Sequence, residues 1–143
     1  MRARIQFLFL QILMMLIVPL LFRWIEDRKL AAVIAGGLFV SIPMTFLILD
    51  FRNARKGIKV QNQFLWSWRL AVIQFLGLFA IPIFSLRVLY WESDFKDLSF
   101  FGLPGPLLHR LSNGSFLIMF VATAFMLISE YLWQKKQRAS NET

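Results

Sequence analysis

The chain has no cysteine and only one histidine, His109. Disulfides, thiol nucleophiles and thiolate metal sites are therefore excluded, and a lone imidazole cannot assemble a standard transition-metal site. Acidic residues are scarce too: eight, against sixteen Lys and Arg, for a formal net charge of +8. No glycine-rich phosphate loop, HExxH sequence or nucleic-acid module is present. No nucleophile with a base and an orienting partner surrounds His109, so a catalytic triad is unsupported. No catalytic residue, cofactor, metal or nucleic-acid partner is expected, and an enzyme is the minority reading.

Charge is most conspicuously missing from the long apolar runs. The chain is 58% hydrophobic with a mean hydropathy of +0.62, more apolar surface than a soluble domain of this size can hide. The apolar residues form four blocks, at 5–22, 30–49, 70–86 and 115–133. Runs of roughly 17–20 residues, at about 1.5 Å per residue, match a hydrocarbon core. The pattern predicts an all-α integral membrane protein, a four-transmembrane-helix bundle forming a single polytopic membrane domain over 1–143. Arg2 and Arg4 precede the first run as in a leader peptide. That run is long, however, and "LLFRWIEDRK" has no small-x-small cleavage pattern, so the segment is read as retained.

Basic residues set the threading. With both termini cytoplasmic, the inside segments carry ten Lys and Arg against six outside. All five Trp and both Tyr fall at predicted span boundaries, where an apolar ring with one polar atom suits the headgroup layer. This asymmetry fits a bacterial inner membrane.

Two stretches share a pattern: "QILMMLIVP" from Gln11 and "QFLGLFAIP" from Gln74. The second and fourth runs both close on an acid, an aromatic residue and basic residues, at Asp50 and Glu130. The halves thus read as a tandem pair of helical hairpins. Gln11 and Gln74 are the strongest polar groups within the spans and are expected to bond across helices. Gly36, Gly37 and Ser41 belong to small residues at four-residue steps, which would let helix backbones approach closely. Pro19, Pro43 and Pro82 should kink their spans.

Asp50 and Glu130 are the candidate functional acids, near the inner span ends, with Arg52, Arg55 and Lys135 as expected partners. Arg52, Arg55, Lys56 and Lys59 follow helical spacing and form a candidate contact for anionic lipid on the cytoplasmic side. The outer connection 87–114 is too broken by Pro104, Gly105 and Pro106 to span. It should rest in the interface, turn back as a re-entrant loop, or dock a partner.

The first functional reading is an accessory or assembly subunit of a membrane complex, with a protein partner or a homo-oligomeric state. The alternative is a small oligomeric transporter or a flippase for a lipid-linked substrate. A lipid-active enzyme using Asp50 and Glu130 ranks below both.

Overall fold

The computed structural model describes residues 2–57 and 63–143. The chain is about 85% helical, with four helices long and apolar enough to cross a membrane. Helix α1 is Arg2–Trp24 and α2 is Arg28–Arg55. The third span is composite: α3 (Leu65–Gln74), a π-helical segment (Phe75–Ala80) and α4 (Ile81–Leu89). Helix α5 is Gly105–Asn141.

The helices alternate in direction, as the contacts at their ends require. Arg4 in the first turns of α1 meets Glu130 late in α5, and Asp50 late in α2 meets Arg69 early in α3. This end is called the charged end below. Around the bundle α1 packs on α2 and α5, α2 also packs on α4, and α3 packs on α5. Phe7 stacks on Phe46 at 4.8 Å and meets Trp68 edge-on at 5.9 Å, joining three spans. Large apolar side chains such as Phe9, Leu16, Ile48, Leu70 and Ile118 remain exposed around the outside, a surface that lipid, unlike water, accommodates without cost.

Local chemistry explains the helix ends. The turn between α1 and α2 is only Ile25, Glu26 and Asp27, and the Asp27 carboxylate caps α2 by accepting from the amides of Lys29 and Leu30. At the far end α2 runs on past Asp50 to Arg55 and stops at Gly57, whose φ of +78° suits a residue without Cβ. In the third span Pro82 has no amide proton to donate, and its ring crowds the preceding turn. The helix widens just before it, and the Ile81 amide reaches the Leu76 carbonyl, five residues back.

The fourth span departs from expectation. Helix α5 begins at Gly105 rather than near 115 and has 37 residues, about 55 Å. Pro104 is its N-cap and Pro106 lies in its first turn, where the missing amide proton costs nothing. The Pro-Gly-Pro sequence that reads as a breaker is a helix start, so about a third of the expected outer connection, 105–114, belongs to α5. The rest holds a short 3₁₀ turn (Phe95–Asp97) and a two-stranded antiparallel ribbon, β1 (Ser99–Phe100) with β2 (Leu103–Pro104).

The tip of that ribbon is strained. Phe101 has φ +49° followed by Gly102 at +77°, and Phe101 is 89% exposed. A bulky residue is disfavoured in this left-handed region by about 1–2 kcal/mol. Phe101→Gly is therefore expected to stabilise the folded chain by about 1 kcal/mol in a denaturant titration. A destabilised variant would mean that the Phe101 ring, which contacts Phe100 at 4.5 Å, holds the ribbon together.

Candidate functional site

Two helices present heptad-spaced faces to the bundle axis. On α1 the face carries Arg4, Gln11 and Val18; on α5 it carries Phe116, Thr123 and Glu130, with exposed His109 continuing the spacing at the loop end. Seven residues are close to two helical turns, so each set stays on one side. The two faces meet along a seam that has three zones between the charged end and the opposite, loop end.

At the charged end lies a buried ion network. Arg4 donates from Nη1 to Glu130 Oε1, and its Nη2 lies 3.6 Å from Asp50 Oδ1. Arg69 Nε donates to Asp50 Oδ2 at 2.6 Å. These four side chains are only 8–11% exposed. The Arg69 guanidinium also lies 4.9 Å from the ring centroids of both Phe51 and Trp66. Two positive and two negative groups thus tie all four spans together. The expected partners Arg52 and Arg55 are exposed instead. They share a helix with Asp50, whereas the antiparallel packing brings the first turns of α1 and α3 beside it.

In the middle of the seam Thr123 is a polar node. Its hydroxyl donates to the Met119 carbonyl at 2.8 Å and accepts from Gln11 Nε2 at 3.3 Å and from Trp68 Nε1 at 3.1 Å. Gln11 and Thr123 are fully buried and Trp68 is 2% exposed. Trp68 therefore sits in the core rather than in an interfacial belt. Gln74, expected to act as Gln11 does, is exposed on α3. The two Gln-to-Pro stretches occupy different environments: one in regular helix with its amide buried, the other leading through the π-helical segment.

The small-residue face of α2 is split as well. A Cβ on Gly36 would stand 3.0 Å from Phe84 Cδ2, and one on Gly37 3.7 Å from Phe84 Cε2, so both glycines do receive α4 closely. Ser41 is exposed, and the Thr45 hydroxyl merely bonds back to its carbonyl at 2.7 Å. Each four-residue step turns about 40° around the helix, which carries the later members off the contact face.

Toward the loop end the seam opens. A cavity of about 450 Å³ lies between α1, α2, the third span and α5, within the size range of small-molecule sites. Its floor is an aromatic triangle: Phe39, Phe75 and Phe116, with centroids 5.4–6.3 Å apart. Met14, Ala35 and Ile83 add apolar wall. Met15, Phe22 and Leu117 line the cavity and are also exposed on the outside of the bundle, so it opens sideways between α1 and α5. It continues into a second space of about 470 Å³ at the mouth, where Arg28, Lys29, Arg87, His109 and Asn113 gather. Among the described residues no Asp or Glu lines either space.

Sequence reasoning missed the cavity and three of its polar groups, Arg87, Lys29 and Asn113. The heptad spacing on α1 and α5 was the available signal. Of the proposed lipid contacts, Arg52, Arg55 and Lys56 are exposed at the end of α2, and Lys59 lies outside the described residues.

The fold and site define an all-α bundle of membrane-spanning length, with an apolar cavity toward one end and ion pairs joining the helices at the other. Comparison with protein-family models, curated proteins and solved structures finds no match to this chain.

Proposed function

We propose that this chain is a small multi-pass membrane carrier, a transporter or flippase, holding its substrate in the cavity between α1 and α5. The observation that carries this reading is the asymmetry of closure along one seam. At the loop end α1 and α5 part around an apolar cavity of about 450 Å³. At the charged end the same helices are joined by Arg4 and Glu130. A carrier needs such a pair of ends, one open and one shut, that can exchange roles. The ion network suits the shutting role, because charge pairs can part and be solvated where packed methyl groups cannot.

In this reading the charged end faces the cytoplasm, as the basic-residue asymmetry suggests, and a bacterial inner membrane is the compartment that fits. Arg52, Arg55 and Lys56 then lie against anionic headgroups. Four spans are few for a carrier, so a homo-oligomer is part of the proposal.

The test is transbilayer movement of a headgroup-labelled anionic lipid in vesicles containing the purified chain. Movement faster than in protein-free vesicles supports the carrier. A rate equal to the protein-free background sinks it and leaves the accessory-subunit reading. One observation favours that second reading: the strained, 89%-exposed Phe101 at the ribbon tip is the kind of projecting aromatic that anchors a partner protein.

A further inference from the structure

We infer that the cavity takes one class of ligand: a membrane lipid with a phosphate-bearing anionic head, its head on Arg87 at the mouth and its chain on the aromatic floor. The inference rests on the carrier reading for its purpose, but its evidence is the chemistry of the mouth.

The cations there are held in place before any ligand arrives. The Arg87 guanidinium lies 4.0 Å from the Phe95 ring centroid, which engages one face and leaves the N–H edge able to donate. No carboxylate lies within 4.0 Å of it among the described residues. Arg87 is only partly exposed, and Asp94, which shares a smaller space on the loop side with Arg87 and Lys29, is not ion-paired to either among the described residues, so the guanidinium keeps its charge without a paired counter-ion. The Lys29 ammonium is tethered to the Trp91 carbonyl at 2.8 Å. Both anchors, Phe95 and Trp91, belong to the connection between α4 and α5, so that connection positions the charges. With Arg28 also at the mouth and no carboxylate among the described residues lining it, three cations outweigh the single Asp94 behind them, and the field favours an anion. A planar fork matches phosphate oxygens two at a time.

The rest of the site selects against a soluble anion. From Met14 to Phe22 on α1 and from His109 to Leu117 on α5 the lining runs along the helices, a depth of about 12 Å on each. Below the mouth that lining is aliphatic, aromatic or thioether apart from the Ser112 hydroxyl. A free phosphate would use only the rim and leave the apolar floor unfilled. A lipid uses both, and the sideways opening between α1 and α5 gives its chain a route from the bilayer without crossing water.

The experiment is native mass spectrometry of the full chain released from membranes of equal phosphatidylglycerol and phosphatidylcholine with identical acyl chains. Preferential retention of phosphatidylglycerol is expected. Arg87→Gln should weaken that preference about tenfold, the effect of losing charge-assisted hydrogen bonds. Arg87→Lys should keep part of it, because charge remains without the fork, and it serves where the Gln variant does not fold. Arg110→Gln, on α5 but outside the lining, should change nothing. Ala35→Leu, which fills the cavity wall, should lower retention of both lipids. Equal retention of the two lipids overturns the inference, as does an Arg87→Gln variant with parental preference. Displacement of the lipid by millimolar inorganic phosphate also overturns it, since the ligand would then be the free anion. Lipid preference without transbilayer movement would defeat the carrier reading alone. Movement without preference would defeat this inference alone.

Discussion

Asp50→Leu is expected to be among the most damaging single substitutions in the chain. It removes the carboxylate that accepts from Arg69 Nε at 2.6 Å and stands 3.6 Å from Arg4 Nη2. Arg69 is 7% exposed, so its charge would be left buried without its counter-ion. Breaking a buried pair from one side costs roughly 3–5 kcal/mol, most of it the desolvation of the stranded partner. The double variant Asp50→Leu/Arg69→Met leaves the net charge unchanged and strands neither group. It is expected to recover most of the loss, because replacing both members of a buried pair by apolar residues is often close to neutral. Reversible unfolding in mixed micelles, run as a double-mutant cycle, measures both. A single variant within about 1 kcal/mol of the parent would show that the network behaves like an exposed surface pair and closes nothing.

Gly105→Ala should be comparably severe for a different reason. A Cβ at this position would lie 2.2 Å from the Phe95 carbonyl oxygen and 3.1 Å from its carbonyl carbon. Those are backbone atoms, with no rotamer to change. The Gly105 amide also donates to the Leu98 carbonyl at 2.8 Å, so the start of α5 and the preceding connection cannot separate without losing that bond. The expected cost is about 3 kcal/mol, from overpacking and the lost hydrogen bond together. Gly114→Ala in the same helix is the control. Nothing lies within 4 Å of its added methyl, so the better helix propensity of Ala should stabilise by about 0.5–1 kcal/mol. Equal effects at the two positions would mean that the close approach at Phe95 is unimportant. Because Phe95 carries Arg87, Gly105→Ala should also weaken lipid selection at the mouth.

What could be read in advance follows from which interactions are local. The number of helices long enough to span, and the tight α1–α2 turn, were legible because a long uncharged run and a short polar break carry their own physics. The end of α2 was not legible: the second apolar run closes at 49, whereas the helix continues to Arg55. The start of α5 was not legible either, since Pro104 and Pro106 break a helix from within and begin one from its edge. Which of these applies depends on the Phe95 backbone that Gly105 must approach. Nor could the sequence say that Gln11 would be buried and Gln74 exposed, because both follow the same spacing from a proline.

The site was legible only in outline. Asp50 and Glu130 stood out as acids near span ends, but their partners Arg4 and Arg69 read simply as charges that orient the chain. An ion pair with partners 126 residues apart, as between Arg4 and Glu130, has no local signature. By itself the sequence showed four runs long and apolar enough to span a membrane and where the basic residues collect along the chain, since each depends on composition along one continuous stretch. Tertiary structure alone decided that α1 and α5 join through Gln11 and Thr123 and part above them. Tertiary structure likewise decided that Phe39, Phe75 and Phe116 meet as a floor, and that Arg87 lines the same cavity without an ion pair among the described residues. Those outcomes depend on which faces of separate helices turn toward one another, and in lipid that choice rests on close packing and a few buried polar contacts.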